Sequence, residues 1–283
     1  MKKKILLPTD FSKNAWNALV YASELYKNEE CDFYIMNAFV VKAYDIESII
    51  SAKPGDKDYD LALENSQREL NKVMKRLEIR VVYPNHTYLT LPVFGSPLKA
   101  IKVAVELKDI ELVIMGTKGA TDSKNVIYGS NTVEVMEHVR NCPVLVIPND
   151  LNYREPKEIV FPTSFKTHFK RRELKYLYEI AKITNTSVRI LHISKEEKLS
   201  DKQKNNKELL EDCLDGIDYT FHWLDNVHVN TGLHNFIQSR DSDMVAFINK
   251  KHTFFETLFS KSMATDLGYN SRIPMLVLHD LRN

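Results

Sequence analysis

Three glycines and a serine carry the first chemical signal in this chain. They stand in Gly116-Thr-Lys-Gly119-Ala-Thr-Asp-Ser-Lys-Asn-Val-Ile-Tyr-Gly129-Ser130, the spacing G-x2-G-x9-G-[ST], directly after the apolar run Leu112 to Met115. Only eight glycines occur in the 283 residues. At average glycine usage, this spacing arises by chance on the order of once in a hundred such chains. Gly116 and Gly119 let the backbone approach a ligand and take positive φ. Gly129-Ser130 opens a helical stretch through Asn131-Thr-Val-Glu. A helix N-terminus offers unpaired N–H groups and a partial positive charge, which favour phosphate. Ser130 and Thr132 add hydroxyl donors, and the residues between Gly119 and Gly129 read as a loop over the phosphates. The plainer alternative is that the glycines only shape a tight strand-to-helix turn.

A phosphate cradle needs a frame, and the hydrophobic pattern supplies one. Lys4–Leu7 reads as a strand, and Ser12 caps a helix with Ala15, Leu19, Ala22 and Tyr26 on one face. Asp32–Ala38 is a second strand. A charged helix follows within Tyr59–Leu77, after the Pro54-Gly55 turn, and Thr87–Leu91 is a third strand. Pro97–Leu107 reads as a helix, Leu112–Met115 as a strand, Asn131–Val139 as a helix and Val144–Ile147 as a fifth strand. Continuously apolar strands separated by helices indicate a parallel sheet covered on both faces, an α/β doubly wound fold. In such sheets ligands sit outside the carboxyl ends of the strands. Asp10, Ala38 and the glycine stretch all fall at that edge. Asp10 is therefore a candidate ribose or metal ligand, with an ordinary strand-end residue as the alternative.

The chain also repeats itself. Ile5-Leu-Leu-Pro-Thr-Asp-Phe11 parallels Ile159-Val-Phe-Pro-Thr-Ser-Phe165, and Phe33-Tyr-Ile-Met-Asn-Ala parallels Val188-Arg-Ile-Leu-His-Ile. Asn141-Cys-Pro-Val-Leu-Val-Ile-Pro148 parallels Arg272-Ile-Pro-Met-Leu-Val-Leu-His279. A repeat this long signals two domains of one fold rather than a solenoid. They read as residues 1–149 and 150–283, joined at the polar stretch from Asn149 to Lys157.

Together, Pro8-Thr9-Asp10-Phe11-Ser12, Leu112-Val-Ile-Met-Gly-Thr-Lys-Gly119, Gly129-Ser130 and Cys142-Pro-Val-Leu-Val resemble the universal stress protein family. The resemblance is specific in the first half and loose in the second. It implies two tandem five-stranded sandwiches of the adenine nucleotide alpha hydrolase-like type. It also implies ATP, ADP or AMP, with or without Mg, as ligand. Asp10 would lie by the ribose or phosphates, and Ala38 would offer its main chain to the adenine. Gly116, Gly119, Gly129 and Ser130 would hold ribose and phosphates, with Thr9, Met115, Asn131 and Thr132 as further candidates. It implies no catalytic residue. It further implies an antiparallel pairing of Pro143–Ile147 with Pro274–Leu278 inside the chain, as a pseudo-dimer. Both strands are short and apolar, and such edges need a cover.

In the second half Asn249, His252, Ser262 and Met263 stand where Gly116, Gly119, Gly129 and Ser130 stand in the first, and Ser164 replaces Asp10. One nucleotide site per chain is the expectation. The stretch 252–263 places Phe254, Phe255, Leu258 and Phe259 at helical spacing, which reads as packing into the vacated pocket or as a partner surface.

Composition narrows the remaining classes. The net charge of +1 gives no argument for nucleic acid or an anionic membrane. Three widely spaced cysteines and a start too short for a signal-peptide core give a cytoplasmic expectation. A nucleotide-binding stress-response or signalling protein leads. A slow ATPase or phosphotransfer enzyme is the alternative, against which the chain has no G-x4-G-K-[ST], G-x-S-x-G or H-E-x-x-H. A ligand-free interaction scaffold is the third reading.

Overall fold

The computed structural model describes residues 2–41, 53–80, 83–117, 128–194, 198–249 and 273–279. Gly119 and the aromatic stretch 252–263 lie outside them. Among the described residues the chain divides into two compact units between Val144 and Leu145.

The first unit alternates strand and helix as the apolar runs dictate. Its elements are β1 (Lys3–Pro8), α1 (Lys13–Leu25), β2 (Cys31–Phe39), α2 (Lys57–Arg80) and β3 (His86–Phe94). They continue through α3 (Pro97–Lys108), β4 (Leu112–Gly116), α4 (Ser130–His138) and β5 (Val144–Ile147), at whose first residue the unit ends. Strands β3, β2, β1 and β4 are neighbours in that order, and every pair is parallel. The chain enters β5 beside β4, where Val113 N–H donates to Pro143 O at 3.0 Å. Each strand matches its sequence-predicted run within a few residues.

The strand order makes the chain change direction. From β1 it moves through β2 to β3, then crosses back to β4. Right-handed crossovers therefore set α1 and α2 on one face and α3 and α4 on the other. The packing agrees: α1 lies on β1 and β4, α2 on β2 and β3, and α3 beside α4. Arg76 of α2 stacks over the Trp16 ring of α1 at 3.8 Å. The gap between the carboxyl ends of β1 and β4 is the switch point where open α/β sheets take ligands.

The second unit runs the same sequence of elements. It holds β6 (Glu158–Pro162), α5 (Arg171–Ile183), β7 (Ser187–Ser194), α6 (Asp201–Leu214), β8 (Tyr219–Asp225), α7 (Val229–Arg240), β9 (Met244–Asn249) and β10 (Met275–His279). The strand order is β10, β9, β6, β7, β8, all parallel. Both units are thus α/β with a central parallel sheet. No described helix is long and apolar enough to cross a membrane.

Candidate functional site

The turn after β1 is the first wall of the site. Phe11 sits at φ 66, a left-handed conformation costly for a bulky side chain. Local bonds hold it there: Phe11 N–H donates to Thr9 Oγ1 at 3.0 Å, and Ser12 N–H donates to Asp10 Oδ1 at 3.1 Å. Ser12 in turn caps α1, its Oγ accepting from Ala15 N–H at 3.1 Å. Thr9 N–H bonds Met36 O at 2.8 Å, which lays the turn against the end of β2.

The second wall is β4 with its following helix. Gly116 is needed here for closeness. A Cβ on it would stand 3.2 Å from the main-chain carbon and oxygen of Asn14, so only glycine lets the first turn of α1 pack against the strand. The sequence expectation of positive φ at Gly116 is corrected, because its backbone is not left-handed. Gly129 is the N-cap of α4 at φ −65 and ψ 155, also an ordinary extended conformation. Its N–H donates to Thr117 O at 2.8 Å and ties the start of α4 to the residue after β4. Thr132, expected as a hydroxyl donor to phosphate, spends its hydroxyl proton inside the protein. Its Oγ1 donates to Gly116 O at 3.1 Å, locking α4 to the end of β4. Gly129 O accepts the first intrahelical bond, from Val133 N–H. The N–H groups of Ser130, Asn131 and Thr132 therefore have no acceptor one turn back within α4.

These walls enclose one cleft of about 120 Å³, open to solvent. Thr9, Asp10, Ala38, Met115, Gly116, Asn131 and Thr132 line it, as do Pro8, Ala15, Met36, Asn37, Pro97 and Ile101. Ser130 is exposed on the first turn of α4, outside the lining, and Gly129 is buried at its cap. The cleft has two characters. Pro8, Met36, Pro97, Ile101 and Met115 supply the apolar part of the lining, suited to a flat heterocycle. Asp10, Gly116, Asn131 and the start of α4 supply the polar part, where the helix dipole favours an anion. Asp10 supplies the one carboxylate among the described lining residues. No group of three or more described His, Cys, Asp or Glu could hold a metal ion.

Sequence reasoning missed Ala15, Asn37, Pro97 and Ile101 as site residues. Ala15 and Ile101 read as core because they lie on apolar helix faces, and only the strand order brings those faces to the cleft. Pro97 carried a usable signal: Ser96-Pro97 at a helix start marks a first turn pointing to the carboxyl edge of the sheet.

The second unit keeps the turn and, among the described residues, sets larger side chains at the matching positions. Phe165 again sits at positive φ (54), with its N–H on Thr163 Oγ1 at 3.1 Å. Asp241 and Asp109 are both left-handed caps, at the ends of α7 and α3, and fix the correspondence of those helices. Matched cap to cap, Ser12 with Lys170 and Tyr26 with Thr184, Glu173 stands for Ala15. In the sheet register Ile193 stands for Ala38 and Ile248 for Gly116. The sequence pairing of Gly116 with Asn249 is thereby corrected by one residue, because Val113 and Val245 hold the same place beside β1 and β6 and donate to Pro143 O and Pro274 O alike. Glu173 and Ile248 are buried. Ile193 Cδ1 lies 3.1 Å from where Gly232 would carry a Cβ, so Ile193 leans onto α7 through the one residue that leaves it room. Phe165 is 0% exposed against 37% for Phe11, and stacks on His192 at 5.0 Å beside Trp223.

The comparisons with known proteins agree with this geometry. The universal stress protein family model matches residues 1–148. Universal stress protein MJ0577 of Methanocaldococcus jannaschii is 30% identical over 155 residues, 52% of this chain and 95% of that protein. Universal stress protein MJ0531 of the same organism is 29% identical over 145 residues, 51% of this chain and 81% of that protein. A solved universal stress protein from Archaeoglobus fulgidus covers 97% of this chain and 95% of its own, with a TM-score of 0.66 and 18% identity. At that identity the likeness speaks for the fold over the whole length. The family match spans more than half of the sequence, takes in every strand and helix that lines the cleft, and shows that this chain belongs to the universal stress protein family.

Proposed function

We propose that the first unit binds one adenine nucleotide (ATP, ADP or AMP, with or without Mg) and that the chain works as a nucleotide-responsive stress or signalling protein. One observation carries this reading. Residues from β1, β2, β4 and the starts of α3 and α4 converge on a single cleft whose lining joins apolar side chains to a helix N-terminus. In this reading the apolar side chains take the base, and the α4 start with Gly116 takes the phosphates. Asp10 takes the ribose or a phosphate-bound Mg. The second unit takes none. A reducing compartment, the cytoplasm, fits the three free thiols, two of them buried.

The test is titration calorimetry with ATP, ADP and AMP. One site per chain is expected. Absence of binding by all three sinks the reading and leaves the interaction scaffold in its place.

A further inference from the structure

Asn37 is buried at the end of β2, where it lines both the cleft and a neighbouring groove beside α2. Its side chain is engaged in two directions. Nδ2 donates to Thr9 O at 2.8 Å, and Oδ1 accepts from Ser66 Oγ of α2 at 2.8 Å. Ser66 is itself buried. Thr9 is the residue whose hydroxyl sets the turn presenting Asp10 to the cleft. A continuous line of bonds thus runs from α2 through Ser66 and Asn37 to the turn.

The second unit makes the same connection with different chemistry. His192, in the place of Asn37, has Nδ1 2.8 Å from Thr163 O. A carbonyl only accepts, so that nitrogen carries the proton. Its following helix reaches the turn directly: Gln203 Nε2 donates to Ser164 O at 2.9 Å and Asn206 Nδ2 to Phe165 O at 2.8 Å. Two unrelated side chains therefore hold the same carbonyl, and in each unit the helix after the second strand braces the turn. In the first unit the braced turn borders an open cleft.

We propose, on the nucleotide reading of that cleft, that Asn37 is a positioning residue. It fixes the Thr9–Asp10 turn against β2, and Ser66 makes α2 a working part of the nucleotide site. An Asn37 side chain committed in this way sets where Asp10 stands and leaves recognition of the base to other groups.

The test is the Kd for ATP of four proteins at a temperature where circular dichroism shows each fully folded. Asn37→Ala is expected to weaken ATP about tenfold and Ser66→Ala about threefold. Asn37→His, which restores a donor by the second unit's own solution, should stay within about twofold of wild type. Wild-type affinity in Asn37→Ala overturns the proposal, as does equal weakening in Asn37→His and Asn37→Ala. Should Asn37→Ala not fold, unchanged affinity in Ser66→Ala overturns it. Absence of ATP binding by the wild type is a different failure, which removes the nucleotide reading itself.

Discussion

The clefts of the two units differ by filling rather than by fold. Strand order, the left-handed phenylalanine and the bond onto the Pro-Thr carbonyl all recur. Three small residues of the first cleft become Glu173, Ile193 and Ile248, and the phenylalanine of the turn swings from half-exposed to buried. A ligand site in this architecture is thus a set of omissions: places where a side chain stops short. Restoring the side chains removes the site and leaves a packed domain, the lower-risk state because cavities are costly to keep.

The sharpest way to break this comparison is to transplant the filling. Ala15→Glu with Ala38→Ile in the first unit should abolish nucleotide binding, raising Kd by about 100-fold or more through occlusion and a carboxylate set against the ligand's own charge. Calorimetric titration checks it, with far-ultraviolet circular dichroism as the control for folding. The reverse change, Glu173→Ala with Ile193→Ala, should destabilise the protein, by about 2–5 kcal/mol for the isoleucine alone. It should create no binding, because Ile248 still occupies the position of Gly116. Urea unfolding and titration read the two halves of that expectation.

Next in size is Gly116→Ala. Its Cβ would press on the Asn14 main chain at 3.2 Å, and neither strand nor helix can yield easily. A loss of about 1–3 kcal/mol in urea unfolding is expected, with weaker nucleotide binding.

The amino ends of the strands offer a third contrast. Glu158 begins β6 between Arg189, Arg240 and Ser242 at 2.7–2.9 Å. Burial pushes its carboxyl up, but hydrogen bonds from Arg240, Arg189 and Ser242 outweigh that and hold it at about 2, against an ordinary 4.5. A depressed folded pKa means that the unfolded chain binds the proton first. The contribution is full above about pH 4.5 and disappears as pH falls toward 2. The first unit has Lys4 at this place. Acid should therefore loosen the second unit first. The chain's two tryptophans report it, Trp16 in the first unit and Trp223 in the second. Glu158→Gln should remove the difference between pH 6 and pH 2 in the Trp223 signal.

The smallest effect belongs to His192. Burial lowers its pKa, against the bond to Thr163 O. A histidine held neutral adds stability above the unfolded pKa near 6.5 and loses it as pH drops below that. His192→Asn should keep the bond to Thr163 O and flatten this shallow slope in urea midpoints between pH 7 and pH 5.

The architecture was legible from the sequence because buried parallel strands are unbroken apolar runs. The glycine spacing found the polar part of the lining because a helix start leaves a local signature. The apolar part was less visible. Ala15 and Ile101 are ordinary core residues in one dimension and become lining residues only when the chain reverses between β1 and β4. Gly116 was singled out for its freedom, whereas its role is closeness to Asn14, a tertiary fact. Thr132 was read as a donor outward, and a partner sixteen residues earlier takes its proton. The filling of the second unit was half seen: the missing glycines were plain, but Glu173 and Ile193 take their places opposite Ala15 and Ala38 only through helix caps and sheet register.

The bonds from Gly129 N–H to Thr117 O and from Thr132 Oγ1 to Gly116 O form a two-point clasp between the end of β4 and the start of α4. The clasp makes the seat of α4 a matter of contacts in space rather than of chain continuity. A chain broken by design between Thr117 and Gly129 should therefore yield two fragments that still associate, with α4 seated on β4.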